Sequence, residues 1–260
     1  MLKMYRCKNH ESWLKNRKKY IGGSDVACIL GYNPWKNNVQ LYREKKGIVE
    51  PDDLSDNPLV QYGTQAEEHI RALFALDHPE LKVEYIPNNS WRNTDYPFAA
   101  ASLDGWTQDE NGRNGILEIK TSTITTSQQA NKWKDQIPDN YFCQVLFYLG
   151  VTGWDYVDLR ANLKYVYPER DTYTITRDYH LERSDYEQDI ATVMESKKKL
   201  NTMYRNVFLG GVPLGILQVA SILLWIFKGI WWPFILWIVI AIPFLQCPYK
   251  QNGAPQKCGN

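Results

Sequence analysis

Cysteine is scarce and irregularly placed: the five in 260 residues (Cys7, Cys28, Cys143, Cys247, Cys258) are odd in number and form no CxxC pair. That argues against a disulfide framework and against a structural zinc site, and it fits a reducing compartment. An excess of charge of one sign is also missing, with 30 basic and 29 acidic side chains and a formal charge of +1. The balance hides an asymmetry. Residues 206–260 carry Lys228, Lys250 and Lys257 and no acid, so residues 1–205 hold 27 basic against 29 acidic groups, net −2. A mildly acidic body argues against bulk electrostatic wrapping of nucleic acid and leaves room only for local basic patches. The start, Met1 to His10, is polar and basic with no apolar h-region, so no secretory signal is expected.

What is present is enough apolar material, 44% of 260 residues, for one substantial core plus extras. Residues 11–20 read as a basic helix. Gly22-Gly23-Ser24-Asp25 interrupts it, with Ser24 or Asp25 able to cap a short apolar helix over 26–30. A Tyr32-Asn33-Pro34-Trp35 turn precedes a helix over 39–46, and the acidic, proline-containing stretch 47–58 reads as loop. The clearest helix is expected over 64–76, with Thr64 as cap, Glu67 at N3 of a capping box, and Ala66, Ile70, Leu73 and Phe74 as its buried stripe. Strands are expected at 82–86, 99–103 and 116–120, the last two joined by a hairpin turn over 109–114. A helix over 139–148 follows, started by Pro138 and closed near Gly150. Further strands at 156–161 and 173–176 precede a long charged helix over 178–203. Strands interleaved with helices point to an α/β or α+β domain.

The densest chemistry lies in Asp104 and the run Gly115-Ile116-Leu117-Glu118-Ile119-Lys120. Glu118 and Lys120 are two apart on a strand and leave the same face, while Leu117 and Ile119 point into the core. Paired as a hairpin, the strands bring Asp104 and Glu118 to one edge, and two hard oxygen ligands suit Mg²⁺ or Mn²⁺ better than zinc. Lys120 can then position water or stabilise developing charge on a phosphate. An ordinary strand with a Glu–Lys ion pair explains these residues equally well. Glu67 offers a third carboxylate, against its simpler role as an N3 capping acid. Gln144 and Tyr148 are four apart and share a helix face, which helix packing alone also explains.

The order Glu67, Asp104, Glu118-Ile119-Lys120, Gln144-x-x-x-Tyr148 resembles the PD-(D/E)XK nuclease superfamily. More closely, the chain resembles the YqaJ-type viral recombinase exonucleases related to phage lambda exonuclease. The long run from Ile21 through Gly22-Gly23-Ser24-Asp25-Val26 to Gly31-Tyr32-Asn33-Pro34-Trp35 matches that family's N-terminal signature, and Tyr62-Gly63-Thr64-Gln65-Ala66-Glu67 matches its glycine-to-glutamate helix start. The motifs span about 13–148. The resemblance implies Asp104 and Glu118 as metal ligands with Glu67 bearing on the same site, Lys120 as the catalytic lysine, and Gln144 as a supporting polar residue. It also implies that Arg17 and Ser24 hold the terminal 5′-phosphate of DNA. A hydroxyl and N–H groups at a helix start, with a guanidinium, make a sound phosphate socket. The alternatives are plain capping by Ser24 and a solvated basic face containing Arg17. Tyr148, Lys132 and Lys134 are further candidates for contact with DNA, as are Lys36 and Arg43, and Trp13, Trp35 and Trp133 could stack on bases or simply pack. Relatives form ring-shaped trimers that thread DNA. An iron–sulfur nuclease of the same superfamily is set aside, because the cysteines lack the required one-plus-three layout.

Residues 207–227 form an apolar run with Gln218 as its strongest polar interruption, followed after Lys228-Gly229 by a second, proline-broken run over 230–245. At about 1.5 Å rise per residue the first run is long enough to span a bilayer. Lys197, Lys198, Lys199 and Arg205 before it would keep the preceding domain cytoplasmic. Packing of the tail against protein is the alternative.

The expectation is therefore a restriction-endonuclease-like α/β (α+β) core, a central mixed sheet flanked by helices, with an apolar helical C-terminal tail. The domains would be 1–205 (nuclease), 206–246 (membrane-associated) and 247–260 (polar tail). The expected activity is Mg²⁺-dependent (Mn²⁺ as substitute) 5′→3′ hydrolysis of linear double-stranded DNA in recombination or genome processing. An endonuclease of the same superfamily and a membrane-anchored, non-catalytic DNA-binding module are the alternatives. Expected partners are linear duplex DNA, a single-strand annealing protein, further copies of the chain as a trimer, and a lipid membrane through 207–245. The expected location is intracellular, in phage or host cytoplasm or nucleus.

Overall fold

Seven strands and seven α-helices are present among the residues that the computed structural model describes, 1–168 and 170–195. In chain order they are β1 (Leu2–Arg6), α1 (His10–Lys18), α2 (Gly23–Leu30), α3 (Asn38–Lys45), α4 (Pro58–Asp77), β2 (Lys82–Glu84), β3 (Asn89–Asn93), β4 (Gly105–Gln108), β5 (Asn114–Ile124), α5 (Ser127–Asn131), α6 (Asp139–Thr152), β6 (Tyr156–Tyr165), β7 (Tyr173–Glu182) and α7 (Glu187–Met194). The main sheet has the order β2-β4-β5-β6-β7, with β5 and β6 parallel and every other pair antiparallel. β1 and β3 form a separate antiparallel pair. This is the mixed α/β architecture that the alternation of strand and helix signals predicts.

The period-2 pattern of β5 and β6 sorts their side chains onto two faces. Ile116 on β5 and Val157, Leu159, Ala161 and Leu163 on β6 join the main core, together with Val145, Leu146, Phe147 and Leu149 of α6. Leu117 and Ile119 face the other way and form a smaller core with Ile70 and Phe74 of α4. The sheet is thus covered on both sides, as a parallel pair requires. On the α4 side, buried Arg160 reaches Asp178 and Asp77 at 2.7 Å each, and its guanidinium lies over the Phe74 ring. Three local devices place the site-bearing elements. Asp25 Oδ2 accepts the Gly22 N–H at 2.8 Å and starts α2. Gly153, with φ +70°, ends α6 in the left-handed conformation that glycine favours. The Asp109 carboxylate accepts the Asn111 and Arg113 N–H groups in the β4–β5 hairpin turn.

Several expectations are corrected. α4 begins at Pro58, with Asn57 accepting the Leu59 N–H, so Glu67 lies within the helix rather than at N3 and Thr64 is not its cap. Proline at N1 is pre-organised for a helix start, and the preceding loop ends sooner than its composition indicates. Leu73 is 55% exposed and does not join the stripe of Ile70 and Phe74. The segment 99–103 is not a strand; Ala99 and Ala101 make isolated bridges to Ile21 and Trp91, and the strand proper starts at Gly105. α6 runs through Gly150, where a methyl group would stand 2.4 Å from Met194 Sδ, so this glycine allows α7 to pack closely and does not end the helix. The expected helix over 178–203 is a strand as far as Glu182, because β7 pairs with β6 along its whole length. Among the described residues of that stretch only α7 is helical, after a short 3₁₀ turn over Arg183–Tyr186, and 196–203 lie outside the described residues. β1, β3 and α5 were not expected at all. Among the described residues, no helix is long and apolar enough to cross a membrane. The expected segments 206–246 and 247–260 lie outside the described residues.

Candidate active site

A cleft of about 510 Å³ opens where the end of α1, the start of α2, the middle of α4, the loop before β4, the centre of β5 and the first half of α6 come together. Arg17, Ser24, Glu67, Asp104, Glu118, Lys120, Gln144 and Tyr148 all line it, although 131 residues of chain separate the first from the last. Lys132 and Lys134, in contrast, are exposed on the segment after α5 and do not line the cleft. Lys36 is committed to Glu44 at 2.5 Å, and Trp133 is buried against Tyr141 and Tyr179. Trp35 is exposed.

Each acid arrives by a different route. Glu118 is on the face of β5 that α6 covers, and it is 1% exposed. Its Oε1 accepts from Lys120 Nζ at 2.6 Å and from Gln144 Nε2 at 2.5 Å, whereas its Oε2 is buried without a partner. Asp104 stands one residue before β4, whose register sets Gly105 opposite Leu117. Its Oδ2 accepts the Ile119 N–H at 2.9 Å, which fixes the carboxylate beside Glu118. Glu67 extends from α4, where Arg71 one turn later donates to its Oε1 at 2.6 Å.

Electrostatics mark the cluster as under-neutralised. Burial, then the Asp104 charge, pushes the Glu118 carboxyl up to about 8, against the pull of Lys120. Burial and Asp104 likewise raise Glu67 to about 7, with Arg71 opposing. Asp104 is raised by burial although Lys120 and the Ile119 N–H favour its charged form. Burial works against the Lys120 ammonium, but Glu118 and Asp104 more than offset it and hold the amine protonated. Desolvated carboxylates that repel one another are stabilised by added positive charge. Among the described residues no three His, Cys, Asp or Glu side chains close into a ready-made cage, and Lys120 and Arg71 pair with Glu118 and Glu67. The donor set still fits a hard divalent cation: it is all oxygen, and Glu118 Oε2 is a buried acceptor with nothing bound to it.

Gln144 links the two halves of the constellation. Its Oε1 accepts from Lys120 at 3.1 Å, while its Nε2 donates to Glu118 and to the Tyr148 hydroxyl. Behind it, a methyl group at Gly23 would stand 2.5 Å from the Tyr148 ring and 2.7 Å from Gln144 Cγ, so only glycine lets α2 approach α6 this closely. That approach carries Ser24 into the cleft, where Arg17 Nη2 donates to its Oγ at 3.0 Å. The Arg17 guanidinium also lies over the ring of Trp13, which lines the same cleft and whose indole N–H donates to Asn89 O and Ser102 Oγ.

Two participants were missed from the sequence. Arg71 bridges Glu67 and the Asp104 carbonyl (Nε–O 2.5 Å) while its guanidinium stacks on Tyr85 at 3.6 Å. Its i, i+4 spacing from Glu67 was a readable signal. Asn89 is buried, donates to the Ile86 and Leu103 carbonyls and accepts the Leu103 N–H, clamping the segment that presents Asp104. No pattern within its own neighbourhood announces that role.

The model of the YqaJ-like viral recombinase domain matches residues 12–155. The chain is similar to the YqaJ protein of Bacillus subtilis (strain 168), 34% identical over 149 residues, which are 57% of this chain and 44% of that protein. It therefore spans less than half the length of that relative. Among solved structures, it is similar to an alkaline exonuclease (LHK-Exo) from Laribacter hongkongensis, with a TM-score of 0.53 and 17% identity, covering 78% of this chain and 99% of that one. The complex of LHK-Exo with dAMP gives a TM-score of 0.51 and 19% identity over 75% of this chain and 96% of that one. At such identities the likeness is one of fold.

Proposed function

The chain belongs to the YqaJ-like viral recombinase family, and on that premise we propose that it is a metal-dependent deoxyribonuclease that degrades linear double-stranded DNA from the 5′ end. The observation that carries this reading is the meeting of Asp104, Glu118, Glu67 and Lys120 in the same cleft as the Arg17–Ser24 pair. Acids and a lysine are the equipment of phosphodiester hydrolysis, and a guanidinium–hydroxyl pair beside them suits a terminal phosphate. The fold likeness to an alkaline exonuclease supports the same class of reaction.

Asp104, Glu118 and Glu67 would hold a divalent cation, Mg²⁺ or Mn²⁺ by the hardness of the donors. When bound, the cation supplies Lewis acidity that polarises the scissile phosphate and makes water a nucleophile near neutral pH. The chain's own residues do the rest. Lys120 keeps its proton and directs its remaining N–H toward the reacting phosphate, where negative charge builds up. Gln144 holds Lys120 and Glu118 in fixed orientation, so neither must reorganise during the reaction. Arg17 and Ser24 receive the 5′-phosphate and set which bond reaches the acids. Hydrolysis then releases 5′-phosphorylated nucleotides and leaves a 3′ overhang, the substrate of a single-strand annealing protein. Action as a trimer around the duplex is part of the same reading.

The test is digestion of linear 5′-phosphorylated duplex and of covalently closed circles, with Mg²⁺ or EDTA. Linear DNA is degraded in Mg²⁺ alone and circles persist. Cutting of circles would replace the exonuclease reading with an endonuclease one, and binding without cleavage by folded protein would leave a DNA-binding module.

A further inference from the structure

Lys45, in the last turn of α3, commits its ammonium to the turn between α1 and α2 and not to Asp104, Glu118 or Glu67. It donates to the carbonyl oxygens of Arg17 at 2.9 Å and Tyr20 at 2.7 Å and pairs with Asp25 Oδ2 at 2.6 Å. Two carbonyl hydrogen bonds and one close ion pair commit the ammonium to this turn. The side chains of Lys45 and Asp25 are only 21% and 13% exposed, so the pair is well shielded from water.

The acceptors come from three consecutive pieces of backbone structure. Arg17 is in the last turn of α1, Tyr20 is in the turn that follows, and Asp25 is at N3 of α2, where it also accepts the Gly22 N–H. Carbonyls at a helix C-terminus lack intrahelical partners and favour a cation, which explains the attraction of Lys45 to Arg17 O. Through Asp25, the same ammonium fixes the first turn of α2, one residue beyond Ser24. Arg17 and Ser24 therefore stand on either side of a turn whose two ends are held by one nitrogen from a third helix. Packing alone does not require a charge at this position, since an apolar side chain generally serves stability as well as a buried ion pair does. Geometry is what a three-point tether adds.

We propose that Lys45 is a positioning residue for the terminal phosphate, setting the separation of the Arg17 guanidinium and the Ser24 hydroxyl. The inference rests on the reading of those two residues as the phosphate socket. A two-point grip on a phosphate is sensitive to small displacements of either point, so loosening the turn costs recognition of the end before it costs chemistry at the acids.

The experiment measures steady-state hydrolysis of linear duplex bearing 5′-phosphate or 5′-hydroxyl ends by the full chain, its Lys45→Met variant and its Lys45→Gln variant, alongside thermal unfolding of each. Lys45→Gln removes the charge and keeps a shorter amide N–H donor, whereas Lys45→Met removes both charge and donor. The wild type prefers the phosphorylated end. Both variants raise KM for that end roughly 10- to 100-fold, the worth of one hydrogen bond to a charged group, and lose the preference while retaining kcat on hydroxyl ends. Retention of the wild-type KM and preference in both variants overturns the inference. Loss of kcat on both ends together with a lowered Tm, or failure of both variants to fold, assigns Lys45 a purely structural role and overturns it too. A wild type indifferent to the end group removes the socket itself, and the inference with it.

Discussion

Gln144 Nε2 donates to Glu118 Oε1 across 2.5 Å, tying the central helix of the main core to the most buried acid of the sheet. One amide thus orients the carboxylate and, through its own oxygen, the lysine two residues along the strand. Replacing Gln144 by Leu keeps the volume and removes both of these bonds together with the one to the Tyr148 hydroxyl. Supporting hydrogen bonds of this kind are worth about 10- to 100-fold in metal affinity or activity. The expected result is a fall in kcat on that scale with the Lys120–Glu118 pair intact, measured by nucleotide release from linear duplex at saturating substrate.

Arg71 ties Glu67 to the backbone of Asp104, so Arg71→Ala frees two of the three acids at once. Titration of the protein with Ca²⁺ in a calorimeter should show weaker binding by roughly tenfold or more. Arg71→Lys can contact one acceptor but not span both as the planar fork does, and its affinity falls between the two. Equal affinities in all three proteins would remove Arg71 from the site.

Gly23→Val places a branched side chain where even a methyl group would meet the buried Tyr148 ring at 2.5 Å and Gln144 Cγ at 2.7 Å. Neither neighbour is a free side-chain end. Overpacking of this kind costs about 1–3 kcal/mol, read from urea unfolding, and activity falls further than the unfolded fraction explains because Gln144 is displaced. A variant as stable and active as the wild type would mean that α2 and α6 can separate freely.

Much of this was legible. The β5 alternation, the hairpin and the shared face of Gln144 and Tyr148 follow from period and spacing, and the structure brings those residues to one cleft. What was not legible depended on distant partners. β1 and β3 are short and stabilise each other across nearly ninety residues, so neither is persuasive by itself. The second half of β7 reads as a charged helix because Asp178, His180 and Glu182 fall within it, and only pairing with β6 decides otherwise. The start of α4 was hidden by an acidic loop that Pro58 ends. Asn89 and Lys45 matter through carbonyl oxygens, which no side-chain pattern reveals.

On the face of the sheet away from the cleft, His180 lies between Asp158 at 2.7 Å and Glu182 at 3.1 Å, and these partners raise its pKa to about 9 against the opposing effect of burial. A raised histidine pKa stabilises the folded state fully below its ordinary value of about 6.5, and that stabilisation is lost as pH rises through about 9. The ring is half exposed, so solvent screening limits the effect to about 0.5–1 kcal/mol. His180→Gln should therefore cost stability at pH 6 and almost none at pH 10, measured by urea unfolding in EDTA. A pH-independent difference would contradict the charged pair.

Metal-dependent hydrolysis beginning at a 5′ end is tested most directly by the order in which label leaves a linear duplex carrying one radioactive 5′-phosphate. The account predicts labelled mononucleotide from the first time points in Mg²⁺, none in EDTA, and none from Glu118→Gln or Lys120→Met in Mg²⁺. Late release of the label, release as longer fragments, or undiminished release in EDTA would contradict it.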